Sequence, residues 1–441
     1  MFEFFEKYFV PVAARIGGQR HLVAIRDGFA SLMPIIMAGS FAVLLNNAPI
    51  PGWTNFLQTA VGVQLKSMNG TIWWGSLAML SIFLAFSVAY NLAKSYNVDG
   101  LQAGLISVSA FLIMIPQAPL LGLPEGVTLA DGATQSNFWG NINVGYTGAQ
   151  GMFVAMVVAL LATELFAKLS KTDALVIKMP EGVPPAVSKS FAALFPGMII
   201  LAVASIACIL LGQSADHNFF ATITKYVGAP IKTATDSLGS AILIVFIQQF
   251  LWFFGLHGPN IIGAVTEPIL LQLLDENMKA VASGAIPPHI ITKPFLDSFV
   301  HLGGSGATIT LLAAIFVAGK RKQNKMIAEL GTAPGLFNIN EPVIFGLPIV
   351  LNPVLFIPFV FGPIVLTIVA YAATYIGLVP RTIAMVPWTF PPVIGGFVAT
   401  ASVAGGILAL VNLAIGFAIY LPFVYLMESI EAKKDAAKKA A

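Results

Sequence analysis

The run Phe337-Asn338-Ile339-Asn340-Glu341-Pro342-Val343-Ile344-Phe345-Gly346 sets one carboxylate between two amides and a proline, in a chain that is 57% hydrophobic. An ionisable group at membrane depth is costly, so it marks a functional site or a pairing site. Pro342 supplies no backbone donor and disfavours α geometry at Glu341, which predicts a broken helix rather than an uninterrupted span. Such a break is tolerated where it lines a protein-enclosed cavity. A carboxylate held there is available to a ligand, with Asn338 and Asn340 adding donors and acceptors at its side. The alternative is a structural acid that satisfies the donors of the broken helix.

Three other constellations lie in the same half of the chain. In Trp252-Phe253-Phe254-Gly255-Leu256-His257-Gly258-Pro259-Asn260 an imidazole follows an apolar run, as a ligand-binding group or as a cap on the last carbonyls of that run. Lys293 and Asp297 are spaced i, i+4, so one helical turn pairs them and lowers the cost of both charges. His301, four residues on, reads as a ligand or a hinge. The tract Gly303-Gly304-Ser305-Gly306-Ala307-Thr308 lacks the Lys-Ser/Thr of a phosphate loop and reads as a turn or a close helix contact. Trp388, in Val386-Pro387-Trp388-Thr389-Phe390-Pro391-Pro392, is an interfacial anchor or a stacking platform for a sugar ring.

The elements that position these residues are membrane helices. With 441 residues, 10% charged residues and a mean hydropathy of +0.85, the composition is that of an all-α polytopic membrane protein. A net charge of +3 gives no reason to expect nucleic acid. Cys208 is the single cysteine, so no intrachain disulfide or thiolate cluster is possible, and its apolar surroundings predict a buried, inert thiol. No cleavable signal is evident at the start, no internal repeat is detected, and no hydrophilic stretch is long enough for a separate soluble domain.

Apolar runs of bilayer length cover Gly28 to Pro49, Ile72 to Ala93, Leu101 to Gly122, Gly148 to Leu169 and Phe191 to Gly212. Lys and Arg alternate between the connections and place the N-terminus in the cytoplasm; Lys225 and Lys232 fall on the external side and weaken the pattern. The external loop from Leu123 to Thr147, with Phe138, Trp139 and Tyr146, is a plain connection or a lid. Phe2 to Arg15 and Pro185 to Ser190 read as surface amphipathic helices. Later spans are expected at Ser240 to Leu256, Gly306 to Gly319, Leu347 to Leu378 and Val398 to Leu426. Ile261 to Leu274 is too interrupted to assign, and Pro287 to Thr308 and Gly331 to Pro348 suggest re-entrant hairpins. The expectation is roughly ten transmembrane helices in two halves, 1–235 with five spans and 236–441 carrying the polar constellations. Lys433, Lys434, Lys438 and Lys439 place the C-terminus in the cytoplasm as well.

The run from Phe337 to Pro348, with Lys293-Pro294-Phe295-Leu296-Asp297-Ser298 and the Gly303 to Thr308 tract, resembles the membrane-spanning IIC component of the bacterial phosphoenolpyruvate-dependent sugar phosphotransferase system. Its lactose/cellobiose/diacetylchitobiose branch matches best, over essentially the whole chain. The resemblance implies a homodimeric permease of the bacterial inner membrane that takes up a β-linked disaccharide and hands it to a phosphorylated IIB partner. It further implies that Glu341 and His257 hold the sugar's 6-hydroxyl, with Asn338, Asn340, Trp388, Trp252 and His301 as further substrate contacts. Neither a cofactor nor a metal is expected. Because the phosphorylated cysteine of this family belongs to IIB and Cys208 lies in no such module, IIB is expected to be a separate chain. Pro259-Asn260-Ile261-Ile262 departs from the nearest family pattern and bears on which sugar is taken. Read without the resemblance, an intramembrane acid equally suits an ion-coupled sugar symporter.

Overall fold

The computed structural model describes residues 10–47, 52–116, 120–122, 135–137, 142, 144–177, 179–180, 182–212, 218–228, 232, 235–347 and 349–440. Phe138, Trp139, Lys178, Pro348 and most of the loop from Leu123 to Thr147 lie outside them. Within the described residues the chain is helical except for one antiparallel ribbon, β1 (Leu120–Gly122) against β2 (Gln135–Asn137). Six helices are long and apolar enough to cross a membrane: Arg20–Asn46, Ala60–Ser95, Ala149–Leu169, Leu194–Leu211, Phe356–Tyr375 and Val403–Ile430. Gly100–Met114, Leu238–Phe253 and Ser305–Ala318 are shorter apolar helices.

The chain forms two compact units. One unit, Gln19–Gly39 with Thr71–Lys232, holds most of α1 (Arg20–Asn46), then α2 (Leu80–Ser95), α3 (Gly100–Met114), α4 (Met152–Leu169), α5 (Pro185–Ala192) and α6 (Leu194–Leu211). Lipid gives apolar side chains no reason to prefer each other, so small residues that let backbones approach make the contacts. Ala85 and Ala89 of α2, Ala103 and Ser107 of α3, and Ala155 and Ala159 of α4 are all buried in this way. Outward, α6 exposes Ile206, Ile209 and Leu210, a face suited to acyl chains. Asp99 caps α3, its Oδ1 accepting from the Gln102 N–H at 3.0 Å while Oδ2 pairs with Lys189 of α5 at 3.0 Å. Burial pushes the Asp99 carboxyl up, but the Gln102 hydrogen bond and the Lys189 charge outweigh it and hold the group below its usual range. Cys208 is buried, as expected.

The other unit, Met1–Gly18, Ser40–Gly70 and Thr233–Ala441, carries every candidate site residue. Its helices are α7 (Leu238–Phe253), α8 (Gly258–Ala282), α9 (Lys293–Phe299), α10 (Thr308–Ala318), α11 (Lys322–Leu336), α12 (Glu341–Gly346), α13 (Phe356–Tyr375), α14 (Pro392–Thr400) and α15 (Val403–Ala440). The stretch Ile261 to Leu274, too interrupted in sequence to assign, is the middle of the continuous 25-residue α8. Its polar residues are buried in protein rather than turned to lipid: Thr266, Gln272, Asp275 and Asn277 are all under 10% exposed. Two expected spans are shorter than their apolar runs. Leu347 to Leu378 becomes helical only at Phe356, after Asn352 Oδ1 accepts from the Val354 N–H at 3.0 Å. Val398 to Leu426 is divided at Ala401 (φ 50°) because Gly396 and Gly405 bring α14 and α15 together too closely for a side chain: a Cβ on Gly396 would lie 2.5 Å from the Gly405 carbonyl oxygen.

Two larger cores and a smaller one around Leu302, Ala307 and Leu366 hold this unit among the described residues. Phe253, Leu311, Ile315, Val343, Ile344, Phe359 and Tyr420 form one larger core, and Val245, Leu270, Ile291, Phe295, Phe299 and Ala409 the other. The first anchors α12 through Val343 and Ile344, both fully buried. The start of α12 is thereby fixed in place.

Candidate functional site

The expected break is present: α11 ends at Leu336 and α12 begins at Glu341. Asn338 takes a left-handed conformation (φ 59°) that Asn tolerates better than most residues. The Ile339 N–H then bonds the Pro334 carbonyl at 3.0 Å, closing the end of α11. Glu341 itself is helical, a correction to the bias expected from the following proline. Pro342 sits in the first turn of α12, where its missing N–H has no helical partner to lose. The Glu341 side chain is exposed and, among the described residues, no group of the chain bonds it.

The two flanking amides do different work. Asn338 is buried; its Oδ1 accepts from the Gly303 N–H at 2.7 Å, and its Nδ2 donates to the Trp388 and Phe390 carbonyls at 2.5 and 3.0 Å. One side chain thus ties three segments of the site together. Asn340 Nδ2 donates to the Ser305 carbonyl at 2.6 Å. The Gly303 to Ala307 tract is a turn, with positive φ at Gly303, Gly304, Gly306 and Ala307. Gly304 (φ 94°) must be glycine twice over, because a Cβ there would lie 2.6 Å from the Asn340 Cγ. Asn338→Leu removes three hydrogen bonds, leaving the buried Gly303 N–H and the part-buried Trp388 and Phe390 carbonyls without this partner; the expected loss is roughly 2 kcal/mol or more of unfolding free energy. Thermal unfolding in detergent measures it, and an unchanged melting temperature would refute the bracing role.

His257 caps the helix that follows it, not the one before. Its Nδ1 accepts from the Asn260 N–H at 3.2 Å, so in the neutral ring the proton resides on Nε2, which becomes a donor. The Trp252 ring lies 4.5 Å from the His257 ring and 6.3 Å from that of Phe345 on α12. The Leu351 N–H bonds the Phe253 carbonyl at 2.9 Å, joining the end of α7 to the chain after α12. Trp252 therefore connects the element bearing His257 to the one bearing Glu341. Its buried Nε1 has no hydrogen-bond partner among the described residues.

The i, i+4 ion pair forms as expected, with Lys293 Nζ 2.5 Å from Asp297 Oδ2 and 3.9 Å from Glu267 Oε1. His301 Nδ1 lies 3.7 Å from Asp297 Oδ1, and its buried Nε2 has no partner among the described residues. The Trp388 side chain is half-exposed while its carbonyl is held by Asn338. Sequence reasoning passed over Gln248 and Gln249, buried on α7 one turn before Trp252; among the described residues the Gln248 Oε1 and both amide atoms of Gln249 bond nothing. Two adjacent amides inside an apolar run were the available signal.

A multi-span helical protein with an uncommitted carboxylate at a buried-amide-braced helix break has the build of a membrane transporter rather than of a scaffold. The phosphotransferase system EIIC model matches residues 26–363, and the chain belongs to that family. It is 37% identical to the lichenan permease IIC component of Bacillus subtilis (strain 168), over 98% of this chain and 94% of that protein. It is 39% identical to the cellobiose-specific EIIC component of Geobacillus stearothermophilus, over 97% of this chain and 94% of that one. The crystal structure of the transporter ChbC, the IIC component of the N,N'-diacetylchitobiose-specific system, superposes with a TM-score of 0.91 at 37% identity, covering 98% of this chain and 99% of that one. The protein is thus a multi-pass membrane component of a sugar phosphotransferase system, in the cellobiose, lichenan and chitobiose branch, working with IIB to couple sugar uptake to phosphorylation.

Proposed function

We propose that this protein takes up a β-linked disaccharide of the cellobiose or diacetylchitobiose type and presents its 6-hydroxyl to a phosphorylated IIB protein at the cytoplasmic face. The observation that carries this reading is Glu341: an exposed carboxylate, bonded by no group among the described residues, at a helix start braced by two amides and anchored by buried Val343 and Ile344. An acid placed by so much structure yet left unpaired is free for a ligand. The relatives named for cellobiose and lichenan support a β-linked sugar.

In the transfer step the 6-oxygen attacks the phosphorus of the IIB phosphocysteine, the phosphorus–sulfur bond breaks, and the hydroxyl proton passes to Glu341. Phosphoryl transfer depends mostly on positioning and charge, so one base and one donor at the oxygen suffice on this side. His257 Nε2–H donates to the same oxygen while Nδ1 is held by the Asn260 N–H. Trp388 offers a face for a sugar ring, and Trp252 Nε1 and His301 Nε2 offer a donor and a second polar contact. Asn338 and Asn340 contribute chiefly by fixing the walls. The protein acts as a homodimer through its 1–235 half, with both termini cytoplasmic, and uses neither metal nor cofactor.

Vesicles containing the protein and labelled cellobiose provide the test. Phosphosugar is expected only when phosphorylated IIB is supplied. Free sugar accumulating with a proton gradient, and no phosphosugar, would replace this reading with ion-coupled symport.

A further inference from the structure

Outside the candidate sugar site, one group of charges is built with more care than a helix connection requires. His289, in the extended segment between α8 and α9, is buried, with Nδ1 2.6 Å from Asp236 Oδ2 and Nε2 2.7 Å from Glu276 Oε2. Asp236 precedes the cap of α7, and Glu276 lies on α8. Both ring nitrogens therefore face carboxylates, an arrangement that only the imidazolium satisfies with two donors. Two cations of neighbouring segments are engaged elsewhere. Lys279 pairs with Asp275 on α8 at 2.7 Å, and Arg381 donates to the Pro287 carbonyl.

The same segment is stapled by neutral groups. The fully buried Asn277 accepts from the His289 N–H at 2.9 Å and donates to the His289 and Thr382 carbonyls at 2.8 and 2.9 Å. Thr292, the cap of α9, shares a 2.6 Å hydroxyl hydrogen bond with Thr382. Two chains leave this knot. One runs through α9 to His301 and Gly303, and the other runs from Thr382 to Trp388. They meet again at Asn338, which bonds Gly303, Trp388 and Phe390.

We infer that His289 is a positioning residue for sugar binding, an imidazolium clasped between Asp236 and Glu276 that fixes the two segments delivering His301 and Trp388 to the site. Release of its proton turns one ring nitrogen from a donor into an acceptor facing a carboxylate oxygen, so the clasp loosens as pH rises. Burial works to lower the pKa of His289, but the hydrogen bonds it donates to Asp236 and Glu276, with their negative charges, outweigh it and the group titrates above the ordinary histidine range. With the folded value raised, the stabilisation is complete below the unfolded value of about 6.5 and is lost as pH climbs through the folded value.

This inference rests on the proposed disaccharide function for its sugar readout, and a second readout tests the clasp without sugar. In the full-length protein in detergent, hydrogen exchange at the imidazole C2 positions, followed by mass spectrometry, should give His289 a midpoint above 6.5; a midpoint at or below that value overturns the clasp. Across the pH range of that titration the wild type should lose affinity for labelled cellobiose as His289 deprotonates. His289→Gln should bind about tenfold more weakly at low pH, as expected for the loss of a charge-assisted hydrogen bond, and should no longer show that alkaline decline. Glu276→Gln, which keeps the shape and one acceptor, should shift the decline to lower pH. A His289→Gln protein with wild-type affinity and an unaltered pH profile would overturn the positioning role. Absence of cellobiose binding in the wild type would instead refute the disaccharide reading and leave the exchange midpoint to decide the clasp.

Discussion

Glu341→Gln is expected to reduce phosphosugar formation by about two to four powers of ten while leaving sugar affinity within a few-fold of wild type. The substitution is nearly isosteric, and the Glu341 side chain is exposed with no bond to the chain among the described residues, so the fold should not register the change. The first turn of α12 also keeps its backbone bonds, since the Val343 and Ile344 N–H groups both reach the Asn340 carbonyl at 2.9 Å. The glutamine amide can still hydrogen-bond the 6-hydroxyl but cannot take its proton, which separates binding from chemistry. Initial rates with phosphorylated IIB, beside equilibrium binding of the same sugar, measure the two independently. An unchanged rate would remove Glu341 from the transfer step, and equal losses in rate and affinity would make it a binding group.

The sequence made the class, the break at Asn338 to Asn340 and the Lys293–Asp297 pair legible because each follows from a local rule. Composition sets lipid as the solvent, proline and asparagine interrupt the helix, and i, i+4 spacing brings opposite charges together. The family resemblance, carried by the Glu341 run, agrees with the match over residues 26–363. What local rules did not reveal was which partner each polar group would find. Asn338 reads in sequence as a ligand contact, yet its amide is engaged by Gly303, Trp388 and Phe390, residues 35 to 52 positions away. Ile261 to Leu274 looked too interrupted to assign, because the contacts that fix α8 are remote: Asn277, near its end, bonds His289 and Thr382, 12 and 105 residues distant. His289 and Asp236, 53 residues apart, showed no motif at all. Such pairings are products of tertiary contact, and spacing in one sequence carries no trace of them.

Asp297→Ala is expected to be among the most destabilising single changes in the 233–441 segment. Lys293 and Asp297 have side chains only 15% and 7% exposed, so the pair is shielded from the water that makes surface ion pairs weak. Removing the carboxylate leaves a buried ammonium whose remaining acid, Glu267, stands 3.9 Å away, at the edge of useful contact. Breaking a buried pair from one side costs about 3–5 kcal/mol, and the residual attraction of Glu267 argues for the lower end of that range. Replacing both partners by apolar residues of similar volume is usually close to neutral. Here that rule needs one amendment, because Lys293→Met with Asp297→Leu would strand Glu267 without its cation. The compensated set is therefore Lys293→Met, Asp297→Leu and Glu267→Gln, which should recover most of the stability lost by Asp297→Ala in thermal unfolding. If Asp297→Ala melts like the wild type, the pair contributes nothing to holding α9. If the compensated protein is stable yet no longer binds sugar, the charges act on the ligand through His301, whose Nδ1 lies 3.7 Å from Asp297.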